Sequence, residues 1–232
     1  MTGSPAGGPR PRVVNSTARI VVFGAGGRLG RLVVTLALLD GLDVRAVIHH
    51  ANPLPTNPHL DLARADVHHP RSVTHQLADR DIVIACLGSA GAQRPDIATS
   101  GAKTIIEGMR RHGLHRLVSV TGTGAALPGE SMSDDHALKR AQMAITAAHL
   151  LTDGEQHLAT IATSPLNWTV LRVPLMTSPH DPEPQPYQLG QSAPRVSSTV
   201  PYATTARALL DLALDDHLWP RTAPFIHQST GR

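Results

Sequence analysis

Apolar positions fall into two rhythms along this chain. Short, mostly apolar runs stand at 20–23, 44–48, 82–87, 117–120 and 168–171. Runs of this length with little polar alternation read as parallel strands buried on both faces. Between them lie longer stretches with apolar residues at helical spacing: Arg31 to Asp40, a short one opening at Pro70, Asp96 to Arg111, one starting near Ser133, and Val200 to Leu214. A weaker run from Leu60 to Asp66 supplies a third strand in chain order, and Ala223 to His227 a short closing one. His112-Gly113 stands where the helix from Asp96 must stop, a good C-cap. Strand and helix in alternation predict an α/β protein with a doubly wound parallel sheet and helices on both faces.

The sharpest punctuation separates the first strand from the first helix, where Gly24, Gly27 and Gly30 stand three apart with Gly26 as an extra small position. Each glycine has its own physical use. Gly24 lets the chain turn tightly off the strand, Gly27 removes a side chain where a pyrophosphate would approach the backbone, and Gly30 lets the helix lie close on the sheet. The helix then presents free N–H groups and the positive end of its dipole, with Arg28 and Leu29 in its first turn. Strand, glycine turn, helix and second strand form one dinucleotide-binding unit of the Rossmann kind.

The end of the second strand chooses between the two nicotinamide cofactors. An acid there holds a ribose 2′-OH, and a basic residue accommodates a 2′-phosphate. This strand ends Val47-Ile48-His49-His50 without an acid, and Asp43 sits at its start. NADP(H) is therefore favoured over NAD(H), with His49 and Arg28 as candidate phosphate contacts. Asp66 and Val67 are candidate contacts for adenine, although Asp66 equally suits a cap for the helix opening at Pro70. His68 and His69 lack further ligands at metal spacing, so no metal is expected. Ligands of open parallel sheets sit outside the carboxyl ends of the strands, which places Gly88 and Ser89 beside the nicotinamide ribose. Cys86, inside the same run, reads as packing. Along the fifth strand, Ser119, Thr121 and Thr123 share one face by period-two alternation, and Thr121 is the best placed to touch a substrate carbonyl.

Composition closes several alternatives. A chain of 232 residues suits a single domain with a sizeable core. The formal net charge is +3, its basic residues are scattered and only 3% of residues are aromatic, which leaves no stacking surface for nucleic acid. Nothing approaches the ~18 apolar residues of a membrane span. One cysteine cannot form an internal disulfide, which suits a reducing cytoplasm. Residues 1–17 are rich in Gly, Pro, Ser and Arg and are expected to be a disordered tail ahead of one nicotinamide-binding domain over 18–232. Pro174 enters a loop containing Pro179, Pro182, Pro184 and Pro186, and 174–200 is expected to form a small C-terminal substrate cap. A small-molecule substrate and a monomer or homodimer complete the expectation.

Taken in order, Gly24 to Gly30, Asp81 to Ser89, Gly101 to Gly113 with the following strand, Asp134-Asp135-His136 and Pro165 to Pro174 resemble the atypical short-chain dehydrogenase/reductases. Within that group they are most similar to the biliverdin-IXβ reductase/flavin reductase and NmrA-like NAD(P)-binding families, from about Ala18 to the C-terminus. The resemblance implies NADPH laid across the strand ends. Pyrophosphate would lie on Gly24 to Gly30, adenine at Asp66-Val67 and ribose at Leu87 to Ser89, with Val173-Pro174 lining the nicotinamide pocket. Three positions depart from the family: Gly122 replaces a strand-end serine, His49 an arginine after the second strand, and Leu175 a histidine after a proline pair. The Tyr-x-x-x-Lys pair of the wider superfamily is missing, since Tyr187 and Tyr202 are followed four residues on by Gln191 and Ala206. His136 stands near the place of that tyrosine, and imidazole titrates near neutrality. An ungapped count back from Trp168 instead puts the family's Asp-Asp-His near Asp153-Gly154. That count makes 137–151 part of an inserted helix and leaves His157 as the rival.

The expected function is hydride transfer between NADP(H) and a small conjugated carbonyl, quinone or flavin, with Thr121 and His136 as catalytic candidates. An acceptor that draws its proton from water needs no dedicated acid. Two alternatives stay open: a NAD(P)-binding redox sensor without turnover, as in NmrA-like proteins, and an isomerase or cyclase on the same fold. Fold alone does not choose among them.

Overall fold

A computed structural model describes residues 18–50, 54–90, 94–178 and 183–229. The expected tail at 1–17 and the loop residues Pro53, Pro179 and Pro182 lie outside the described residues. The first half of the chain runs β1 (Arg19–Phe23), α1 (Arg28–Leu39), β2 (Asp43–Ile48), β3 (Leu60–Arg64), α2 (Pro70–His75), β4 (Ile82–Ala85), α3 (Ile97–His112) and β5 (Arg116–Gly122). Two helices in succession, α4 (Asp134–Thr146) and α5 (Ala148–Ala162), precede β6 (Asn167–Val173). The chain closes with β7 (Leu175–Thr177), β8 (Tyr187–Gly190), β9 (Thr199–Pro201), α6 (Tyr202–Leu214) and β10 (Phe225–Gln228).

Eight strands form one sheet in the order β3-β2-β1-β4-β5-β6-β10-β8. All neighbours are parallel except β10 and β8. The order 3-2-1-4-5-6 is that of a doubly wound dinucleotide-binding sheet, and it reverses direction between β1 and β4. Each central strand is apolar on both faces because helices cover both. Ile20 and Val22 of β1 pack toward Leu29 and Val33 of α1 and Leu209 of α6. Val21 and Phe23, one residue out of phase, pack toward Ile105 of α3 and Leu158 of α5. The core is therefore two apolar layers separated by the sheet.

Helix ends follow local chemistry. Gly113 takes φ +65° and closes α3 with its N–H donated to Arg110 O, the left-handed stop that glycine permits. Between α4 and α5 the backbone breaks at Ala147 (φ −153°, ψ 47°). The two helices then have different duties. α5 buries Leu151, Leu158 and Ile161, whereas α4 buries only His136 and carries Leu138 and Ile145 exposed.

The stretch expected as a cap is more ordered than its prolines suggested. β7 and β9 form a separate parallel pair, Leu175 to Thr177 against Thr199 to Pro201. Residues Tyr187 to Gly190 join the main sheet as its antiparallel edge. The sequence Tyr-Gln-Leu-Gly is too short for periodicity to reveal.

Candidate functional site

The turn after β1 is tightly constrained. Gly24 has φ +76°, and a Cβ there would stand 2.6 Å from Cys86 O, so both conformation and the nearness of β4 demand glycine. A Cβ on Gly30 would run into Gly24 O, which makes Gly30 the residue that lets α1 approach the strand. Ala25 N–H donates to Val47 O at 3.1 Å, and Gly27 N–H to Gly24 O at 3.0 Å. Gly27 itself is different. Its backbone is extended (φ −75°, ψ 166°), it is exposed, and a Cβ there would meet only Gly24 O, at 3.3 Å. A side chain here asks only a few tenths of an ångström of give from Gly24 O, far less than at Gly24 or Gly30; a ligand lying on the start of α1 would leave it no room. First-turn N–H groups of a helix have no partner four residues back, so those of Arg28 and Leu29 can receive an anion. Leu29 buries its side chain in the core, and the Arg28 guanidinium lies 5.2 Å from the centre of the Tyr202 ring. A pyrophosphate fits this cradle.

Beyond β4 the chain runs across the sheet's switch point. Leu87 is wedged below, with Cδ2 3.3 Å from where a Gly24 Cβ would be and Cδ1 filling the space a Cβ on Gly101 would need. Gly88 is exposed and Ser89 buried. Burial pushes the Cys86 thiol up to about 12, so it is a packing group and no nucleophile.

On β5, Ser119 and Thr121 of the three hydroxyls share one face, and Thr123 lies past the strand's end at Gly122. That face looks at α5. A Cβ on Gly154 would lie 2.7 Å from Thr121 Oγ1, and Ser119 Oγ–H donates to Ala85 O at 3.1 Å. With that proton committed, the Nε2–H of His157 is the donor to Ser119 Oγ, at 2.9 Å. Burial lowers His157 to about 4. Met143 of α4 reaches over the strand end, its Cε 3.7 Å from a Cβ position on Gly122. Pro174 is buried, and Leu175 beside it is 68% exposed.

His136 is 2% exposed, with Nε2 3.3 Å from Ala125 O and its ring edge-on to Phe225. Burial and then the Arg172 charge lower its pKa. Arg172, also buried, donates from Nη1 to Glu130 Oε2 at 2.8 Å and from Nε to Ala223 O at 2.8 Å, with its guanidinium over Phe225. His136 thus belongs to a buried network that ties the loop after β5 to β6. Sequence reasoning did not single out Arg172 and Glu130, because nothing in the local pattern links residues 42 apart.

Asp153 was considered only as an alignment alternative, and its role is structural. Although 3% exposed, its carboxylate accepts from Ala98 N–H (3.1 Å), Thr99 N–H (2.9 Å) and Thr99 Oγ1–H (2.6 Å). It therefore caps α3 from another helix, at the positive end of that helix's dipole. Asp96, the residue in the N-cap position, makes no side-chain cap bond and accepts from Ser100 instead. A lone Asp inside the apolar pattern of α5 was the available signal.

Past β2, His49 Nδ1 lies 2.9 Å from His50 Nε2, and His49 Nε2 lies 3.8 Å from Asp66 Oδ2. Asp66 accepts from His68 N–H (2.9 Å), His68 Nδ1 and His69 Nδ1 (both 3.1 Å). The His68 backbone bond leads the lowering of its pKa to about 2. The carboxylate closes the turn that leads into α2 but does not cap the helix, whose N-cap residue is His69, without a side-chain cap bond. Val67 is buried beside Gly101, whose Cβ position is 3.5 Å from Val67 Cβ. His49 and Arg28, proposed together as phosphate contacts, engage different neighbours, β3's side and α6 respectively.

A parallel 3-2-1-4-5-6 sheet with this glycine cradle at its switch point is a dinucleotide-binding fold of the Rossmann kind. Residues 24–216 match the model of a family described as NAD(P)H-binding, and the chain belongs to that family. Solved structures share the fold. A wide-type short-chain dehydrogenase/reductase from Veillonella parvula in complex with NADP is 17% identical, with 91% of this chain and 94% of that chain covered and a TM-score of 0.73. The oxidoreductase ylbE from Lactococcus lactis is 14% identical, with 91% of each chain covered and a TM-score of 0.75. An anaerobillin reductase from Escherichia coli O157:H7 is 18% identical, with 93% and 99% covered and a TM-score of 0.69. Among the described residues no helix is long and apolar enough to cross a membrane.

Proposed function

We propose that this protein is an NADPH-dependent reductase that passes hydride to a small conjugated carbonyl, quinone or flavin. The observation that carries the reading is Gly27: an exposed, extended glycine whose Cβ position meets only Gly24 O, at the place where a pyrophosphate approaches backbone. The cofactor supplies the hydride when bound. This chain's residues orient it: Gly24 to Gly30 under the pyrophosphate, Leu87 to Ser89 at the ribose, Asp66 and Val67 at the adenine end, and Pro174 beside the ring. The absence of an acid after β2 supports NADPH over NADH.

Thr121, whose Oγ1 lies against Gly154 of α5 at the end of β5, is the residue we assign to contact the acceptor's carbonyl. We assign His136 to hold the loop after β5, since a buried imidazole kept neutral near pH 7 makes a poor acid. Protonation is left to water, which suits conjugated acceptors whose reduced forms exchange protons freely. Leu175, exposed next to Pro174, supports an apolar acceptor. The burial of His136 also supports a second reading, a redox sensor that binds the cofactor without turnover.

Titration with NADPH and NADH, followed by nicotinamide fluorescence and then by absorbance at ~340 nm with quinones, flavins and ketones, separates these readings. Binding with oxidation establishes the reductase. Binding without oxidation by any acceptor leaves the sensor, and no binding removes both.

A further inference from the structure

Resting on the NADPH reading, we propose that Asp66, His49 and His50 form a carboxylate–imidazole–imidazole chain whose outer ring, His50, takes up a proton to hold the cofactor's 2′-phosphate. Discrimination between NADPH and NADH is then set by pH.

The argument begins with tautomers. The two rings share one N–H···N bond between His49 Nδ1 and His50 Nε2, 2.9 Å apart. Asp66 decides its direction. Its carboxylate faces His49 Nε2 at 3.8 Å, which favours a proton on that nitrogen over a lone pair. His49 Nδ1 is then the acceptor, His50 Nε2–H the donor, and His50 Nδ1 carries a free lone pair. A further proton can settle on His50 Nδ1 without breaking the bond between the rings. Such a cation sits one imidazole away from a carboxylate and directly after β2, where the ribose 2′ substituent is read.

Other charges face the pair, and the Arg64 cation among them opposes a proton on His50 until the phosphate arrives. From the β3 side, Arg64 Nη1 donates to His50 O at 2.5 Å and fixes the backbone of the outer ring. The Asp66 charge is already shared with His68 and His69 at the start of α2. His68 in turn faces Asp96 at 3.5 Å, and Asp96 faces Arg94 at 3.4 Å. From α1, the Arg28 guanidinium is placed over Tyr202. Both rings are exposed, His49 with 56% of its side chain accessible, so a phosphate can reach them.

A phosphate monoester is dianionic above its second pKa of ~6. A proton drawn from the buffer on binding at pH 7.5 therefore settles on the protein and not on the phosphate. Calorimetric titration in two buffers of different ionisation enthalpy reads this uptake directly, with NADPH and NADH as paired ligands. About half a proton or more per NADPH, and none for NADH, is the expected result. The ratio of NADPH to NADH affinity should fall about five- to tenfold between pH 7 and pH 8, because one linked proton contributes at most tenfold per pH unit. In His50→Gln the uptake should vanish and the ratio should lose its pH dependence. The imidazole C–H resonances of the wild-type protein should report a ring whose pKa rises on adding adenosine 2′,5′-bisphosphate but not AMP, a readout independent of the variant's folding. Equal uptake for both cofactors, or a ratio that favours NADPH without changing from pH 6.5 to 8, overturns the proton clamp while leaving the NADPH reading intact. A ratio near one at pH 6.5 overturns the NADPH reading itself.

Discussion

At the scale of single residues, the glycines of the first turn divide by what a Cβ would meet. Gly24 and Gly30 are required by neighbouring backbone, whereas Gly27 is required by nothing in the protein except a modest adjustment at Gly24 O. Gly27→Asp should therefore fold and fail to bind. We expect an unchanged far-ultraviolet spectrum and a melting temperature within a few degrees of wild type, with no fluorescence response to either nicotinamide dinucleotide. Retained binding would move the pyrophosphate off this turn. These three glycines were legible in the sequence because their spacing reports local backbone geometry. Arg172, Glu130 and Met143 were not, because their partners are fixed only when distant segments meet. His136 illustrates the limit of position in sequence, since it sits near the expected place for a proton donor yet packs against Phe225.

Among elements, α5 is the one that organises its neighbours. It packs beside α3, places His157 on Ser119, and lends α3 the cap that Asp96 does not provide. Removing that carboxylate leaves two N–H groups without their acceptor in a buried place, while the Thr99 hydroxyl keeps Asp153 O at 3.0 Å. Asp153→Ala should lower stability by about 2–3 kcal/mol in urea unfolding, with Asp153→Asn keeping part of it through its remaining oxygen. A loss no larger than that of an exposed substitution would mean that water replaces the carboxylate. The strands and their order followed from apolar runs and the alternation with helices. The break at Ala147 and the edge strand β8 did not: four residues without periodicity carry too little signal, and the break lies between two segments that both read as helix.

For the whole molecule, two buried imidazoles tie folding to pH. His157 is lowered to about 4 by burial, and His136 is lowered too, against ~6.5 in an unfolded chain. Between those values the unfolded chain binds more protons than the native one, so stability rises with pH. The stabilisation is fully present above pH ~6.5 and is lost as pH falls toward 4, on the order of 3 kcal/mol for His157 alone. Urea midpoints from pH 7 to 4.5 should fall steadily, and the slope should shrink in His157→Gln; an unaltered slope would place the acid sensitivity elsewhere. One contact carries a different kind of consequence. Leu87 Cδ1 occupies the space that a side chain on Gly101 would need, so the rim of the nucleotide groove and the second turn of α3 share one small volume. A larger residue 101 would displace the Leu87 side chain, so a change on that helix is felt in the loop after β4. Across descendants of this protein a bulkier residue 101 should tend to accompany a smaller or re-oriented residue 87.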